Sequence, residues 1–177
     1  MVTLVRNQSA KAQAYAKNRS GGKADFVDTK AITQIFTPQW VAQYLVENSI
    51  GRLWMLNNPQ SSLVEHMDFY IPPDDGDYDY LQINDPKEIT CLDPACGDGN
   101  LLVAAYYILE LIYEEAGFSS AEIPGLILEN NLFGWDIDPD VVARCQDRLK
   151  ELSGGCAAIN VKVLDNKLAG GLACNLQ

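Results

Sequence analysis

The chain has 177 residues, of which 47% are hydrophobic, so it is long enough for one domain with a buried core and too apolar to be mainly disordered. Its formal net charge is −11, but residues 1–52 carry seven basic and three acidic side chains, so the acidic excess belongs to residues 53–177. Duplex binding requires Lys and Arg to displace counterions, which excludes the general surface of that acidic part as a DNA-binding face.

The first 31 residues predict a flexible basic arm, because they are rich in Ala, Lys, Asn, Ser and Gly and contain a Ser20-Gly21-Gly22 break. Residues 32–177 predict the folded domain. Any contact with nucleic acid is then left to the arm or to regions outside this chain. Alternatively, the acidic surface only keeps a small domain soluble.

A helix is predicted to begin at Thr37-Pro38. Thr37 has the form of a helix N-cap, and Pro38 that of the first helical residue, where a missing N–H does no harm. The residues that follow share one apolar helix face: Trp40, Val41, Tyr44 and Leu45. The helix can extend past Gly51, whereas residues 57–87 are predicted to be mostly loop.

Residues 89–164 alternate between strands and helices. The predicted strands are residues 89–92, 132–137 and 159–164; the predicted helices are residues 101–117, a short segment within 119–131, and a longer one that begins after an Asp138-Pro139 cap. The order βαβαβ predicts an α/β fold with a partial parallel sheet of about three strands.

Cysteine and histidine usage excludes several kinds of site. The five cysteines form no Cys-x-x-Cys pair, and their odd number and irregular spacing do not suit a disulfide framework. His66 is the only histidine, so zinc sites and Ser-His-Asp chemistry lack their residues, and we interpret it as an ordinary surface or core histidine. With no apolar run of roughly 18 residues, these features predict a cytoplasmic protein without metal or membrane span.

The turn after the first strand carries the most specific pattern, Asp93-Pro94-Ala95-Cys96-Gly97-Asp98-Gly99. Glycines there let the backbone approach a ligand beyond the strand ends. A dinucleotide site would have a third glycine where Leu102 stands, and Asp93 would repel a pyrophosphate. A carboxylate at this point suits an ammonium or sulfonium group, which favours S-adenosylmethionine over NAD.

Two acids, Asp136 and Asp138, lie at the end of the second strand. An acid at this place can accept hydrogen bonds from both hydroxyls of a ribose, while the next apolar residue packs on adenine. Asp138 is explained by capping the helix that starts at Pro139, so Asp136 is the better ribose ligand, with Ile137 beside it. The alternative is that both are surface acids at a strand end.

These motifs resemble those of adenine-specific DNA methyltransferases. Residues 93–99 resemble their motif I, residues 136–139 their motif II and residues 35–38 their motif X, and the order with X first is that of the gamma class. Residues 34–54 and 113–129 are similar, more closely, to BREX phage-defence methyltransferases and related restriction–modification enzymes. The resemblance implies a Rossmann-like, class I S-adenosylmethionine-dependent fold and adenine N6 methylation.

The resemblance also implies roles for individual residues. It assigns Thr37 to the methionine carboxylate, Phe36 and Pro38 to the shape of that end of the pocket, and Asp93 to the methionine amino group. It assigns the backbone of Pro94, Ala95, Cys96, Gly97 and Gly99 to the methionine and ribose. Asp136 matches the ribose acid, Ile137 the adenine-stacking residue, and Asp165 the acid for the adenine amino group. Asp98 departs from the small hydroxyl residue usual at its position.

One family element is absent from these 177 residues: the Asn/Asp-Pro-Pro-Tyr/Phe tetrapeptide that holds a flipped adenine. We therefore expect cofactor binding without autonomous methylation, and no catalytic residue is assigned. The alternative is a truncated or split, non-catalytic module that docks onto a partner subunit. A small-molecule methyltransferase or a nucleotide-dependent oxidoreductase is a third option, which motif X argues against.

The family's strand order implies a partner. With the order 3-2-1-4-5-7-6, the first strand is central in a full sheet but forms an open edge here. An open apolar edge predicts self-association or a partner subunit.

Overall fold

A computed structural model describes residues 36–73, 79–155 and 159–164. The chain divides into two units at Phe36/Thr37, and the elements below all lie in the second. The predicted basic arm lies outside the described residues. The helices are α1 (Gln39–Val46), α2 (Arg52–Asn57), α3 (Asn100–Glu115), α4 (Ile123–Leu126) and α5 (Pro139–Leu152); the strands are β1 (Cys91–Asp93), β2 (Leu132–Asp136) and β3 (Asn160–Val163).

The first helix begins one residue later than the sequence predicts. Pro38 has an extended ψ of 146° and is the N-cap residue, and no side chain caps the helix. The predicted Thr37 cap is therefore wrong. Pro38 still organises the first turn, because its carbonyl accepts hydrogen bonds from the N–H groups of Val41 and Ala42.

Helix α1 continues through a π-helical turn, Glu47–Gly51, into α2. Gly51 does not end the helix. Glycine is needed at this position because a Cβ there would lie 2.6 Å from the Met67 sulfur. In the same turn the buried Glu47 carboxylate accepts the N–H groups of Asp68 and Phe69. This turn therefore fixes the loop that follows α2.

The apolar face predicted for α1 is mostly exposed. Trp40 is 60% exposed and Leu45 46%, whereas Ala42 and Val46 are buried against α3. Helical spacing correctly predicts the helix, but the face that packs against α3 is the neighbouring one, which contains Ala42 and Val46. Two 3₁₀ turns, Leu63–His66 and Pro86–Glu88, interrupt the predicted loop. Of the two positions left open for His66, surface or core, the structure shows the surface.

The three described strands form one parallel sheet in the order β1-β2-β3. Asp93 pairs with Gly134, and Gly134 with Val161, so the carboxyl ends of all three strands lie at the same edge. The predicted α/β class and three-strand parallel sheet are confirmed, consistent with a Rossmann-like methyltransferase fold. The strands are shorter than predicted by one or two residues at most ends, as is usual for pattern-based boundaries.

The core lies between α3 and the sheet. Leu102, Leu109 and Ile112 of α3 are fully buried. A Cβ on Gly134 would lie 2.8 Å from Leu102 Cδ1, so glycine at this position lets α3 pack directly on β2.

A π-helical turn, Ile127–Asn131, leads into β2 and buries a polar side chain. Asn131 is 0% exposed; its Nδ2 donates to the carbonyls of Pro86 and Ile89, and its Oδ1 accepts from the Tyr113 hydroxyl. This amide joins α3, the entrance to β1 and the entrance to β2. None of the helices in the described ranges is long and apolar enough to cross a membrane.

Candidate functional site

The loop between β1 and α3 depends on two left-handed glycines. Gly97 has φ +53° and Gly99 φ +86°, a region that other residues adopt only with strain. The Gly99 N–H closes the turn onto the Cys96 carbonyl at 2.8 Å. A Cβ on Gly99 would lie 2.5 Å from the Cys145 sulfur, so this glycine also lets the loop lie against α5.

Asp136 connects the end of β2 to this loop. One of its carboxylate oxygens accepts the Gly97 N–H and the other accepts the Asp138 N–H, both at 2.9 Å. The Cys96 N–H adds a 2.8 Å bond to the Trp135 carbonyl. Asp136 was preferred as the ribose ligand because it had no evident structural task, and that premise is wrong. Each carboxylate oxygen can accept more than one hydrogen bond, so the acid can still serve a ligand.

Asp93 lies close to Asp136 at the same edge of the sheet. Its Oδ1 accepts the Ala95 N–H at 3.1 Å, and burial, with a smaller contribution from the charge of Asp136, raises the pKa of Asp93. Two carboxylates at the ends of adjacent parallel strands make this edge a favourable place for a cation. Pro94 and Ala95 are exposed beside it.

Of the two acids at the end of β2, Asp138 has the capping role that the sequence predicts. Asp138 is the N-cap of α5, where its side chain accepts the Asp140 N–H at 3.0 Å and Pro139 follows. Ile137, between the two acids, is 62% exposed. A large apolar side chain is thus left uncovered next to Asp136.

The segment before α1 also reaches the loop. Thr37 and Pro38 are exposed, and the Thr37 carbonyl accepts a 2.8 Å hydrogen bond from Asn100 Nδ2 at the start of α3. Phe36, directly before Thr37, is half-buried. Asp165 lies outside the described residues.

Two buried thiols lie beneath the loop. Cys96 is 5% exposed and Cys145 is 0% exposed. The Cys145 thiol hydrogen-bonds Cys96, which lowers the pKa of Cys96 and raises that of Cys145. Both are free cysteines.

Sequence reasoning missed two residues of this site, Asn100 and Arg148. Arg148 Nη1 donates to the Asp98 carbonyl at 2.7 Å and to Asn100 Oδ1 at 2.8 Å, and lies 3.6 Å from the Asp98 carboxylate. Burial raises the pKa of Asp98 even though Arg148 and Arg144 oppose that shift. The sequence signal for the contact with Arg148 was Asp98, which stands where the resembling family usually has a small hydroxyl residue.

A separate open cleft of about 520 Å³ lies at the other end of α3. Glu115, in its wall, already accepts hydrogen bonds from Trp54, Ser61 and the Ser62 N–H. No residue of the glycine loop, residues 94–99 between β1 and α3, lines it. In the part of the chain that the structure describes, no group of three or more His, Cys, Asp or Glu side chains could hold a metal ion.

The sequence is similar to two curated proteins. Over 158 residues it is 41% identical to the adenine-specific methyltransferase BrxX of Escherichia coli O9:H4 (strain HS), a match covering 84% of this chain and 12% of that protein. Over 124 residues it is 38% identical to the adenine-specific methyltransferase PglX of Lacticaseibacillus casei (strain Zhang), covering 63% of this chain and 10% of that protein. The chain thus spans about a tenth of the length of these relatives. No family model matches it.

Proposed function

We propose that this chain, which belongs by sequence to the BREX-type adenine-specific methyltransferases and spans about a tenth of their length, is the part of such an enzyme that binds S-adenosylmethionine. The complete enzyme transfers a methyl group to N6 of adenine in DNA, within a phage-defence or restriction–modification system of the cytoplasm. The cysteines that the structure describes, Cys91, Cys96 and Cys145, are free, which suits that compartment.

One observation carries the proposal: the Asp93 and Asp136 carboxylates end adjacent parallel strands on either side of a left-handed glycine loop. In open α/β sheets, ligands bind outside these carboxyl ends. The residues fit this cofactor on two counts. Burial, with a smaller contribution from the charge of Asp136, raises the pKa of Asp93, and a bound cation would stabilise its ionised carboxylate. The uncovered Ile137 offers an apolar surface for a flat ring beside a hydroxyl-binding acid.

In this proposal each segment holds one part of the cofactor. Asp93 binds the methionine ammonium, and Thr37, with Phe36 and Pro38, binds the carboxylate end. The backbone from Pro94 through Ala95, Cys96 and Gly97 to Gly99 lines the middle of the molecule. Asp136 accepts from the ribose hydroxyls and Ile137 contacts the adenine; Asp165 is assigned by resemblance alone.

The cofactor supplies an electrophilic methyl group, and this chain's contribution is to bind and orient it. The chain contains no Asn/Asp-Pro-Pro-Tyr/Phe tetrapeptide for a flipped base, so we propose that it does not methylate DNA on its own. Contact with DNA is assigned to the basic arm of residues 1–31 or to regions outside the chain, because the acidic excess lies in residues 53–177.

Calorimetry with S-adenosylmethionine tests this function. We expect the wild type to bind and Asp136→Ala to lose at least tenfold in affinity, because a hydrogen-bonding acid is removed. Ile137→Ala should lose a smaller, severalfold amount. Asp147→Asn, an exposed acid on α5, is the matched control and should bind like the wild type. Absence of binding by the wild type, or equal binding by Asp136→Ala, contradicts the assignment.

A second candidate, a non-catalytic module that docks onto a partner subunit, is favoured by β1. Among the described strands β1 is at the edge of the sheet, and its Leu92 is 44% exposed. Unpaired N–H and C=O groups on such an edge can accept another strand, from a second copy or from a partner. Analytical ultracentrifugation should show concentration-dependent self-association that Leu92→Lys reduces. A stable monomer at high concentration argues against pairing between copies.

A further inference from the structure

We infer that Arg148 is a positioning residue that acts through Asn100 to hold the Thr37 segment against the glycine loop. The three residues come from different parts of the chain: α5, the first residue of α3 and the entrance to α1. Neither Arg148 nor Asn100 was assigned a role by the motifs. The inference about cofactor affinity rests on the proposed function, whereas the mechanical connection does not.

The Arg148 guanidinium makes two hydrogen bonds through a single nitrogen. Nη1 donates to the Asp98 carbonyl at 2.7 Å and to Asn100 Oδ1 at 2.8 Å, which uses both of its hydrogens. The Asp98 carboxylate, 3.6 Å away, adds an ion pair. Because Arg148 is anchored at both the backbone and the side chain of Asp98, its position relative to the loop is well defined.

That arrangement determines how the Asn100 amide is turned. A guanidinium has only donors, so only the amide oxygen of Asn100 can face it. The amide nitrogen must then point the other way, where it donates to the Thr37 carbonyl at 2.8 Å. The opposite orientation would lose both bonds. Arg148 therefore selects the one rotamer of Asn100 that ties Thr37 to the loop.

The consequence concerns two segments that are far apart in sequence. Thr37 precedes α1, and Gly97 and Gly99 precede α3, and the described contacts place Asn100 between them. If these segments hold neighbouring parts of one ligand, the methionine carboxylate and the middle of the molecule, their separation sets the ligand affinity. Arg148 and Asn100 fix that separation without needing to touch the ligand.

Hydrogen exchange measured on the ligand-free chain tests the mechanical connection. The reporters are the Val41 and Ala42 amides, which donate to the Pro38 carbonyl in the first turn of α1. Asn100→Asp keeps an oxygen for Arg148 but presents a second oxygen, which cannot donate, to the Thr37 carbonyl. It therefore breaks only the hydrogen bond between residue 100 and Thr37. We expect exchange at these amides to become about fivefold to tenfold faster in Asn100→Asp and in Arg148→Gln.

Two comparisons make the test specific. Arg144→Gln removes a neighbouring cation of α5 that acts on Asp98 through charge, and it should leave exchange in this turn unchanged. In an Asn100→Ala background, Arg148→Gln should add no further change, because the two residues act in series. Unchanged exchange in Asn100→Asp, an equal effect of Arg144→Gln, or additive effects of the pair would overturn the inference.

Calorimetry with S-adenosylmethionine supplies the second measurement. Arg148→Gln and Asn100→Asp should each weaken binding about tenfold, while Arg144→Gln binds like the wild type. Should the wild type fail to bind, the proposed function fails and the exchange data still decide the connection. If both variants show faster exchange but bind S-adenosylmethionine like the wild type, the inference that Arg148 and Asn100 set the cofactor affinity is overturned.

Discussion

The Tyr113 hydroxyl donates a 2.9 Å hydrogen bond to Asn131 Oδ1, and both residues are 0% exposed. Since Asn131 also donates to the carbonyls of Pro86 and Ile89, the amide satisfies three buried polar groups from two other segments. Burial raises the pKa of Tyr113 to about 12, so the hydroxyl remains a donor at all ordinary pH values. The buried Asn131 side chain therefore connects α3 to the segment that leads into β1.

We predict that Asn131→Leu lowers the free energy of unfolding by about 3 kcal/mol or more, because it leaves buried partners without hydrogen bonds. Tyr113→Phe removes one of these bonds and should cost about 1 kcal/mol. Urea denaturation monitored by circular dichroism measures both. Asn130→Ala, one residue away and with a single bond to Leu126, is the control. An equal loss for Asn130→Ala and Asn131→Leu would show that Asn131 has no special role.

We predict that alanine substitutions at Gly99 and Gly117, two glycines with the same φ angle, lower stability by different amounts. Gly99 and Gly117 both have φ +86°, but only Gly99 faces a neighbour, the Cys145 sulfur. Gly99→Ala should lower the free energy of unfolding by about 3 kcal/mol through strain and overpacking, and Gly117→Ala by about 1 kcal/mol through strain alone.

A third variant separates the two causes. Cys145→Ala combined with Gly99→Ala should recover part of the stability lost by Gly99→Ala, because the sulfur no longer meets the new Cβ. Thermal denaturation is sufficient to rank the variants. Equal losses at Gly99 and Gly117 would mean that contact with α5 does not matter.

Asp93 predicts a pH dependence of stability with a definite sign. Burial, assisted by Asp136, raises the pKa of Asp93 above its ordinary value of 3.8, so the folded chain holds this proton more tightly than the unfolded chain. The ionised carboxylate therefore lowers stability at neutral pH, and this penalty disappears as pH falls through the raised pKa towards 3.8.

Asp93→Asn should accordingly melt at a higher temperature than the wild type at neutral pH, with an advantage that vanishes near the ordinary aspartate pKa. Its amide oxygen can still accept the Ala95 N–H. The same variant should bind S-adenosylmethionine more weakly if Asp93 faces its ammonium group. A lower melting temperature at neutral pH would contradict this account, and Asp147→Asn serves as the unaffected reference.

Glu115 predicts the opposite pH dependence. Partial burial raises its pKa, but hydrogen bonds from Ser61, Trp54 and the Ser62 N–H outweigh that effect and hold the pKa below the ordinary 4.5. The stability that these bonds contribute is present above 4.5 and is lost as pH falls through the lowered folded value.

Tryptophan fluorescence follows this change, since Trp54 Nε1 donates to Glu115 Oε2 at 2.9 Å. Acid titration of the wild type should show a transition below the ordinary glutamate pKa that Glu115→Gln removes. Glu114→Gln, an exposed acid next to it, should retain the transition. If the Glu115→Gln titration matches that of the wild type, the transition belongs to another group.

Local patterns in the sequence predicted much of this fold for physical reasons. The three strands are short apolar runs bounded by turn residues. Asp138-Pro139 predicts the start of α5, because Asp is a common N-cap residue and Pro is common at the first helical position. By contrast, which stripe of α1 is buried depends on α3, more than fifty residues away. Spacing alone therefore selected Trp40, Tyr44 and Leu45, which lie on the exposed side.

The candidate site shows the same division. Asp93, Gly97 and Gly99 were predictable because they follow one strand within a few residues of each other, and Asp136 because it ends the next strand. The Asn100–Arg148 contact spans 48 positions and depends on how α5 lies across the loop, so no local pattern contains it. Asp136 was interpreted from its position alone, whereas its hydrogen bond to Gly97 required the folded loop.

Ile137 stands uncovered at the end of β2 with a side chain that is branched at Cβ. Such a side chain has few rotamers to choose from, so little conformational entropy remains to be lost when a flat ring covers it. Water released from both apolar faces would then dominate the thermodynamics of that contact. Binding of an adenine ring here should carry a negative heat-capacity change, and Ile137→Ala should make that change smaller.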